Sequence, residues 1–425
     1  MFAAATSLAK SVASVVPAKI KRCVRMDNPW ISIIGVGVDG LAGFCAARQE
    51  ALSNADLVFG PPRHLELVGV QDERARPWPV PFADGIEEVL SERGRGKQIA
   101  VLVSGDPFWF GGGTTLIRHL WAEEWVSIPA PSTFSWAASR LGWALQSVAT
   151  LGLHARPFET LVPHLAPDMQ VIVTLRDGAA VGELAQWLIN QGFGHSTLHV
   201  LEALGGPHER LRTVRADEYA LTDVTHPVCA GITFAGADAV MTHASGRRDD
   251  LFDHDGQITK RPVRALTLSA LAPRPNELLW DLGAGSGSIA IEWLLSHPSL
   301  RAIAVERDET RAKRIRANAD MLGVAHLDVR TGAIIDTLGD LEAPDVVFIG
   351  GGFSHDLVNM LWPLMPDGAR LVANSVTLES DADIMRAQSE FGGDLLRVEL
   401  SAPKAIGSRT GWAASYPIMQ WSVTK

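Results

Sequence analysis

The sequence predicts an α/β protein in two successive parts, the second of them a doubly wound, Rossmann-like sheet. Three observations carry this. Two short apolar runs, Trp30-Ile-Ser-Ile-Ile-Gly35 and Glu277-Leu-Leu-Trp-Asp-Leu-Gly283, each end in glycine and lead into an Ala-rich helical pattern. Further apolar runs alternate with helical stretches after both openings, and runs without polar alternation suit strands buried on both faces of mostly parallel sheets. With 425 residues, 47% hydrophobic, 39 Gly and 24 Pro, the chain is a turn-rich globular protein of about two or three domains, neither disordered nor a coiled coil.

Residues 1–27 are Ala/Ser-rich, basic and free of acids up to Met26, with apolar stretches too short for a secretory core. We read them as a disordered or mis-called extension. The first part spans 28–239, in lobes of about 28–130 and 131–236, with strands expected at 98–104, 170–175 and 197–201. Pro129, Pro131 and the polar Leu153-His-Ala-Arg-Pro157 mark the junction of the lobes. Polar sequence from Gly236 to Gln257 reads as a linker, placing the boundary near Ala239 and the second part at 240–425. There the runs 301–306, 327–332, 345–351 and 369–376 continue the strand–helix alternation. Trp280 and Trp293 read as core.

Lys+Arg number 38 against Asp+Glu 48, a net charge of −10, and beyond residue 26 the balance is 33 against 48. A general nucleic-acid surface is therefore not expected, and an anionic substrate would need a local basic patch. No run approaches a membrane span of about 18 apolar residues. Cys23, Cys45 and Cys229 are scattered without a Cys-x-x-Cys pair, which points to a reducing, cytoplasmic setting and to no metal site. The histidines, His195 and His199 among them, have no metal-ligand spacing.

Asp281-Leu-Gly-Ala-Gly-Ser-Gly-Ser288 leaves a strand and enters a helix. Its glycines stand at 283, 285 and 287, whereas a dinucleotide fingerprint would put the third at 288, which is Ser. The spacing disfavours NAD and fits S-adenosylmethionine, whose carboxylate a helix N-terminus can hold. Gly283, Ala284, Gly285, Ser286 and Gly287 are the candidate contacts. Glu306, ending the next strand, is placed to accept both ribose hydroxyls, and Gly332-Ala333 leaves room for adenine. A plain helix-capping turn with a surface Glu is the alternative, and it leaves the three spaced glycines unexplained. Asp345-Val-Val-Phe-Ile-Gly-Gly-Gly352 lacks the Asn/Asp-Pro-Pro-aromatic pattern of nucleic-acid amine methylation.

Ile34-Gly-Val-Gly-Val-Asp-Gly40 has no Gly-Lys-Ser/Thr after it, so it is not an ATPase loop. Ser104-Gly-Asp-Pro107 ends a strand and runs into Phe-Trp-Phe-Gly-Gly-Gly113; by its chemistry it is either a ligand loop or a structural turn.

These motifs, with Pro131-Ser-Thr-Phe-Ser-Trp-Ala-Ala-Ser-Arg-Leu-Gly142 and Leu201-Glu-Ala-Leu-Gly-Gly-Pro-His-Glu-Arg210, resemble the tetrapyrrole methylases of corrin biosynthesis over roughly residues 28–236. Gly256-Gln-Ile-Thr-Lys-Arg-Pro-Val-Arg264 and the glycine loop resemble the decarboxylating methyltransferase of the same pathway. The tandem is similar to a fused cobalamin-pathway enzyme. The resemblance implies a two-lobed class III methyltransferase fold followed by a Rossmann-like class I methyltransferase domain. It also implies methylation of a precorrin at carbons 5 and 15 with loss of carbon dioxide from a ring acetate, and one S-adenosylmethionine site per domain. It assigns cofactor contacts to Ser104, Gly105, Asp106, Trp109 and Ser135 in the first domain, and to Thr259, the 283–287 loop, Glu306 and Ala333 in the second. The chain departs from the pattern at Val38-Asp39, where many relatives have Pro-Gly, and at Pro262, where the family usually has Glu.

A polycarboxylate tetrapyrrole calls for local cations: Lys260, Arg261, Arg264 and Arg409 in the second part, His154 and Arg156 in the first. Asp106, His254 and Asp255 are the candidate proton donors. A homo-oligomer is expected. The rival functions are an RNA methyltransferase and a non-catalytic tetrapyrrole carrier or sensor.

Overall fold

A computed structural model describes residues 29–236 and 240–425. The extension 1–27 and the boundary at Ala239 lie outside the described residues. The first lobe is a fully parallel sheet of β1 (Ile31–Val36), β2 (Leu57–Gly60), β3 (Ala75–Pro77), β4 (Ile99–Ser104) and β5 (Trp125–Ile128), in the order β3-β2-β4-β1-β5. The inner strands β1, β2 and β4 are mostly apolar and buried because each face meets its own core. Ile34, Val36, Ala100 and Leu102 pack on one side, while Ile31, Ile33, Ile99 and Val101 pack on the other.

The second lobe holds β6 (Ala149–Gly152), β7 (Gln170–Thr174), β8 (Thr197–Glu202), β9 (Arg210–Arg215) and β10 (Val228–Thr233), ordered β6-β7-β10-β8-β9. Only β6 and β7 run parallel. The expectation of a mostly parallel sheet fails here for a physical reason: burial on both faces makes a strand apolar without setting its direction. Charged β9 gave no apolar run to read.

The C-terminal sheet is assembled from β11 (Leu278–Leu282), β12 (Arg301–Glu306), β13 (Asp328–Thr331), β14 (Val346–Ile349), β15 (Arg370–Ser375), β16 (Asp394–Val398) and, after a separate exposed hairpin of β17 (Ser401–Ile406) and β18 (Arg409–Ala414), β19 (Ile418–Thr424). The order β13-β12-β11-β14-β15-β19-β16 is a doubly wound parallel sheet extended by β19, which runs antiparallel to β15, and by β16, which pairs antiparallel with β19. Trp293, on the helix Ser288–Ser296, is completely buried on one face, and Trp280 is 1% exposed on the other. Truncating either to Ala would cost about 3–5 kcal/mol.

The segment expected to be a linker belongs in part to this domain. Gly246 and Arg247 donate their backbone N–H groups to the two carboxylate oxygens of Glu292, at 2.7 and 2.9 Å, and Arg264 Nε meets the same carboxylate at 2.6 Å. Glu292 and Arg264 are fully buried. A polar segment reads as a loop in sequence, yet here it caps an internal charge that would cost about 3–5 kcal/mol if left unpaired.

Two candidate active sites

In the N-terminal part the loops after β1, β4 and β5 converge. A Cβ on Gly35 would stand 2.1 Å from the Gly105 carbonyl oxygen and 2.4 Å from Ala130 N, so backbone meets backbone there. Gly105, at φ +56°, accepts from Ala130 N–H at 3.1 Å. Between this junction and the second lobe lies a cleft of about 390 Å³. Ser104, Gly105, Asp106, Trp109 and His154 line it. Ser104 Oγ is 3.0 Å from His64 Nε2. His64 is buried, its Nδ1 has no partner among the described residues, and burial together with the adjacent Arg63 pushes its pKa down to about 4. It is therefore a neutral ring that fixes the serine. Asp106 Oδ1 accepts from Phe108 N–H at 2.8 Å, so the turn role is real, and the residue also fronts the cleft. Trp109 packs on Phe134 with 6.0 Å between ring centroids.

Two residues sit elsewhere than expected. Ser135 lies one turn into its helix, its N–H bonded to Ser132 Oγ at 3.1 Å; Ser132 and Thr133, at the helix start, are the hydroxyls on the cleft. Arg156 is off the cleft and faces His326 of the C-terminal part, whose pKa it helps lower after burial. Missed in the sequence were Arg63, His64, Arg176 and His226, all on the wall. The signal for the first two was Gly60-Pro-Pro-Arg-His64, a strand end running into a proline-started helix. Cys229 also lines the cleft, with its thiol pushed up to about 12 by burial, so it is no nucleophile.

The C-terminal cleft is larger, about 1570 Å³, and opens at the end of β11. All three loop glycines have positive φ, +73°, +60° and +76°. A Cβ on Gly283 would stand 2.8 Å from the Gly351 carbonyl oxygen, and one on Gly287 would stand 2.7 Å from Ile315; at Gly285 nothing lies nearer than 3.9 Å. The outer pair allow close packing, whereas Gly285 leaves bare backbone toward the cleft. Gly283, Ala284, Gly285, Ser286, Glu306, Gly332, Ala333 and Thr259 line the space, and Gly287 lies behind it. Glu306 accepts from Gly285 N–H at 2.8 Å and from Asp308 N–H at 3.0 Å. Beneath the loop, Asp281 is 1% exposed; one oxygen accepts from Ala290 N–H at 3.1 Å and the other has no partner among the described residues. Burial, helped by the Glu306 charge, pushes this carboxyl up to about 7.

Of the proposed substrate cations, only Lys260 lines this cleft. Arg264 is a correction: it is fully buried, pairs with Glu292, and donates to the Thr259 carbonyl, so it holds the cleft-lining Thr259 segment in place. Arg261 is likewise committed, its Nε to the Gly246 carbonyl at 2.8 Å. Arg409 opens strand β18 beside the hairpin turn, off the cleft, while the hairpin base brings Ser415 and Tyr416 to it. His254 and Asp255 are corrections as proton donors. His254 Nδ1 accepts from Gly256 N–H in a turn, and both residues lie off the cleft. Asp255 accepts from Gln257 N–H and pairs with Arg311 and Arg314, which lowers its pKa to about 2 and leaves it no proton to give at neutral pH. Arg307, missed in the sequence, lines the cleft beside Glu306. Among the described residues no cluster has the makings of a metal site, and no helix is long and apolar enough to cross a membrane.

A two-lobed cleft built on glycine loops, followed by a doubly wound sheet with a second such cleft, defines a tandem methyltransferase. Residues 31–220 match the model of tetrapyrrole (corrin/porphyrin) methylases and residues 250–425 that of a precorrin methyltransferase domain. The chain belongs to the family of decarboxylating precorrin-6Y C(5,15)-methyltransferases. It is 45% identical to the member from Sinorhizobium sp over 94% of this chain and 97% of that one, and 38% identical to a member from Mycobacterium tuberculosis over 93% and 100%. A relative from Saccharolobus solfataricus, named a probable cobalt-precorrin-6B C(15)-methyltransferase (decarboxylating), is 31% identical over 178 residues, 40% of this chain and 88% of its own length. The crystal structure of the C-terminal domain of the Rhodobacter capsulatus precorrin-6Y C5,15-methyltransferase matches with 45% identity, 44% of this chain, 100% of its own and a TM-score of 0.42.

Proposed function

We propose that this enzyme methylates precorrin-6Y at carbons 5 and 15 and decarboxylates a ring acetate, in cobalamin biosynthesis, with each of the two units 28–239 and 240–425 holding its own S-adenosylmethionine. The observation that carries this is near-full-length similarity, 45% over 94% of the chain, to a relative named for both methylations and the decarboxylation. The Saccharolobus match, at 178 residues close to the length of the C-terminal unit, and the precorrin methyltransferase domain at 250–425 support placing decarboxylation and carbon-15 methylation there and carbon-5 methylation in the N-terminal cleft.

S-adenosylmethionine supplies an electrophilic methyl group when bound. The fit to it rests on bare backbone at Gly285, on buried and unpartnered Ser286 Oγ, and on Glu306 facing the C-terminal cleft. In the N-terminal cleft Ser104, Gly105, Asp106 and Trp109 would hold it. A reduced tetrapyrrole has enamine-like bridging carbons, so the methyl acceptor is the substrate's own carbon and the residues contribute orientation and exclusion of water. In decarboxylation the protonated macrocycle takes the electron pair. The side chains of Lys260 and Arg307 are free of ion pairs and hydrogen bonds among the described residues, which suits them to substrate carboxylates. A homo-oligomer and a cytoplasmic location complete the reading; exposed Ile406 and Trp412 on the hairpin are apolar surface such an assembly would cover.

Incubation with labelled S-adenosylmethionine, a reduced tetrapyrrole and ribosomal RNA tests it. Two methyl groups and one carbon dioxide per tetrapyrrole are expected. Labelling of RNA alone, or tetrapyrrole binding without turnover, would refute it.

A further inference from the structure

We propose that Arg63, with His226 across the lobe boundary, binds a side-chain carboxylate of the tetrapyrrole in the N-terminal cleft. The inference rests on the functional reading above and names the group that orients the substrate at that site.

Arg63 is the second residue of the helix Pro62–Leu67 of the first lobe, which follows β2, and it lines the cleft. It is half-buried, and among the described residues no hydrogen bond or ion pair holds its guanidinium. Arg63, His64 and His226 line the same cleft. Burial without a counter-ion lowers the Arg63 pKa, and burial, aided by the Arg63 charge, depresses those of His64 and His226, with Asp177 opposing the shift at His226. His226 belongs to the second lobe, just ahead of β10. Arg176, on the same wall, is already matched by Asp177 and Glu183. An unpaired cation on a partly desolvated wall is unfavourable until an anion completes it.

The rest of the cleft indicates which anion. Trp109, Phe110 and Trp136 line it and present apolar ring surface. A flat macrocycle with carboxylates on its rim matches an aromatic wall and a cationic wall at once. The cofactor's single carboxylate is the competing anion, and the experiment separates the two.

In the full-length enzyme, Arg63→Gln should raise the KM for tetrapyrrole in the N-terminal methylation by about 10-fold or more, as expected for loss of one charge-assisted hydrogen bond. Arg63→Lys should recover part of this. S-adenosylhomocysteine binding, measured by calorimetry, and carbon dioxide release should stay at wild-type levels, which also reports an intact fold. An unchanged KM in Arg63→Gln, with wild-type enzyme turning over, overturns this inference alone. A loss of S-adenosylhomocysteine affinity as large as the rise in KM overturns it too, assigning Arg63 to the cofactor. A wild-type chain that neither binds nor methylates a reduced tetrapyrrole overturns the functional reading and this inference together.

Discussion

Asp281 and His64 each lie behind a cleft-lining loop, one in each half of the chain, and each carries a pKa displaced by burial in the direction that favours its neutral form. For Asp281 the folded value, about 7, lies above the unfolded 3.8, so the folded state binds the extra proton between these pH values. The associated stability is present below pH 3.8 and is lost as pH rises through 7. Asp281→Asn should therefore gain stability relative to wild type as pH rises from 4 to 8, by on the order of a few kcal/mol, in denaturant titrations. A difference that does not change with pH would show the carboxyl to be ionised throughout. His64 has the opposite dependence. Its folded value of about 4 lies below 6.5, so acidification from pH 6.5 to 4 favours the unfolded chain. His64→Asn should flatten that limb, removing up to about 3 kcal/mol of acid-induced loss from the N-terminal transition. Neither group was legible as perturbed from sequence, because desolvation depends on what packs over a side chain. Arg264 shows the same limit: a cation beside a cofactor motif reads as a substrate contact until Glu292 is found under it.

The glycine loop was legible because its constraint is local. A strand end, three glycines at alternate positions and a helix leave few conformations, and all three φ values are positive. The three positions should nevertheless respond differently. Gly285→Ala meets open space, so its cost is the left-handed conformation alone, about 1–2 kcal/mol. Cofactor affinity in the C-terminal cleft should fall while the thermal midpoint drops by only about 2–8 °C, less than at the two packed glycines. Gly287→Ala drives a methyl into Ile315 of the helix Glu309–Met321, and Gly283→Ala drives one into the Gly351 backbone. Both should lower the midpoint as well as affinity, and calorimetry with S-adenosylhomocysteine beside thermal melts would separate the two classes. Equal losses at all three would mean that Gly285 is packed rather than open. Elements without such local punctuation escaped the sequence: β9 is charged, and β17 and β18 are exposed along most of their length, so none has an apolar run.

At the scale of the whole molecule, the hydrophobic clusters decide what can stand alone. Those of the N-terminal half draw only on residues up to Phe234, and those of the C-terminal half only on residues from Met241 onward. The halves touch where Gly323, after the helix Glu309–Met321, fits against the Glu159 carbonyl so closely that a Cβ there would be 2.5 Å away. Because no core is shared among the described residues, each half carries its own burial free energy. Fragment 240–425 should fold cooperatively by itself, release carbon dioxide from the tetrapyrrole and add one methyl group, while 27–239 should add the other. Mass and isotope analysis of the products checks this. A C-terminal fragment that folds yet leaves the acetate intact would mean that decarboxylation needs both clefts, and would move the search for its proton donor to the surface where Arg156 meets His326.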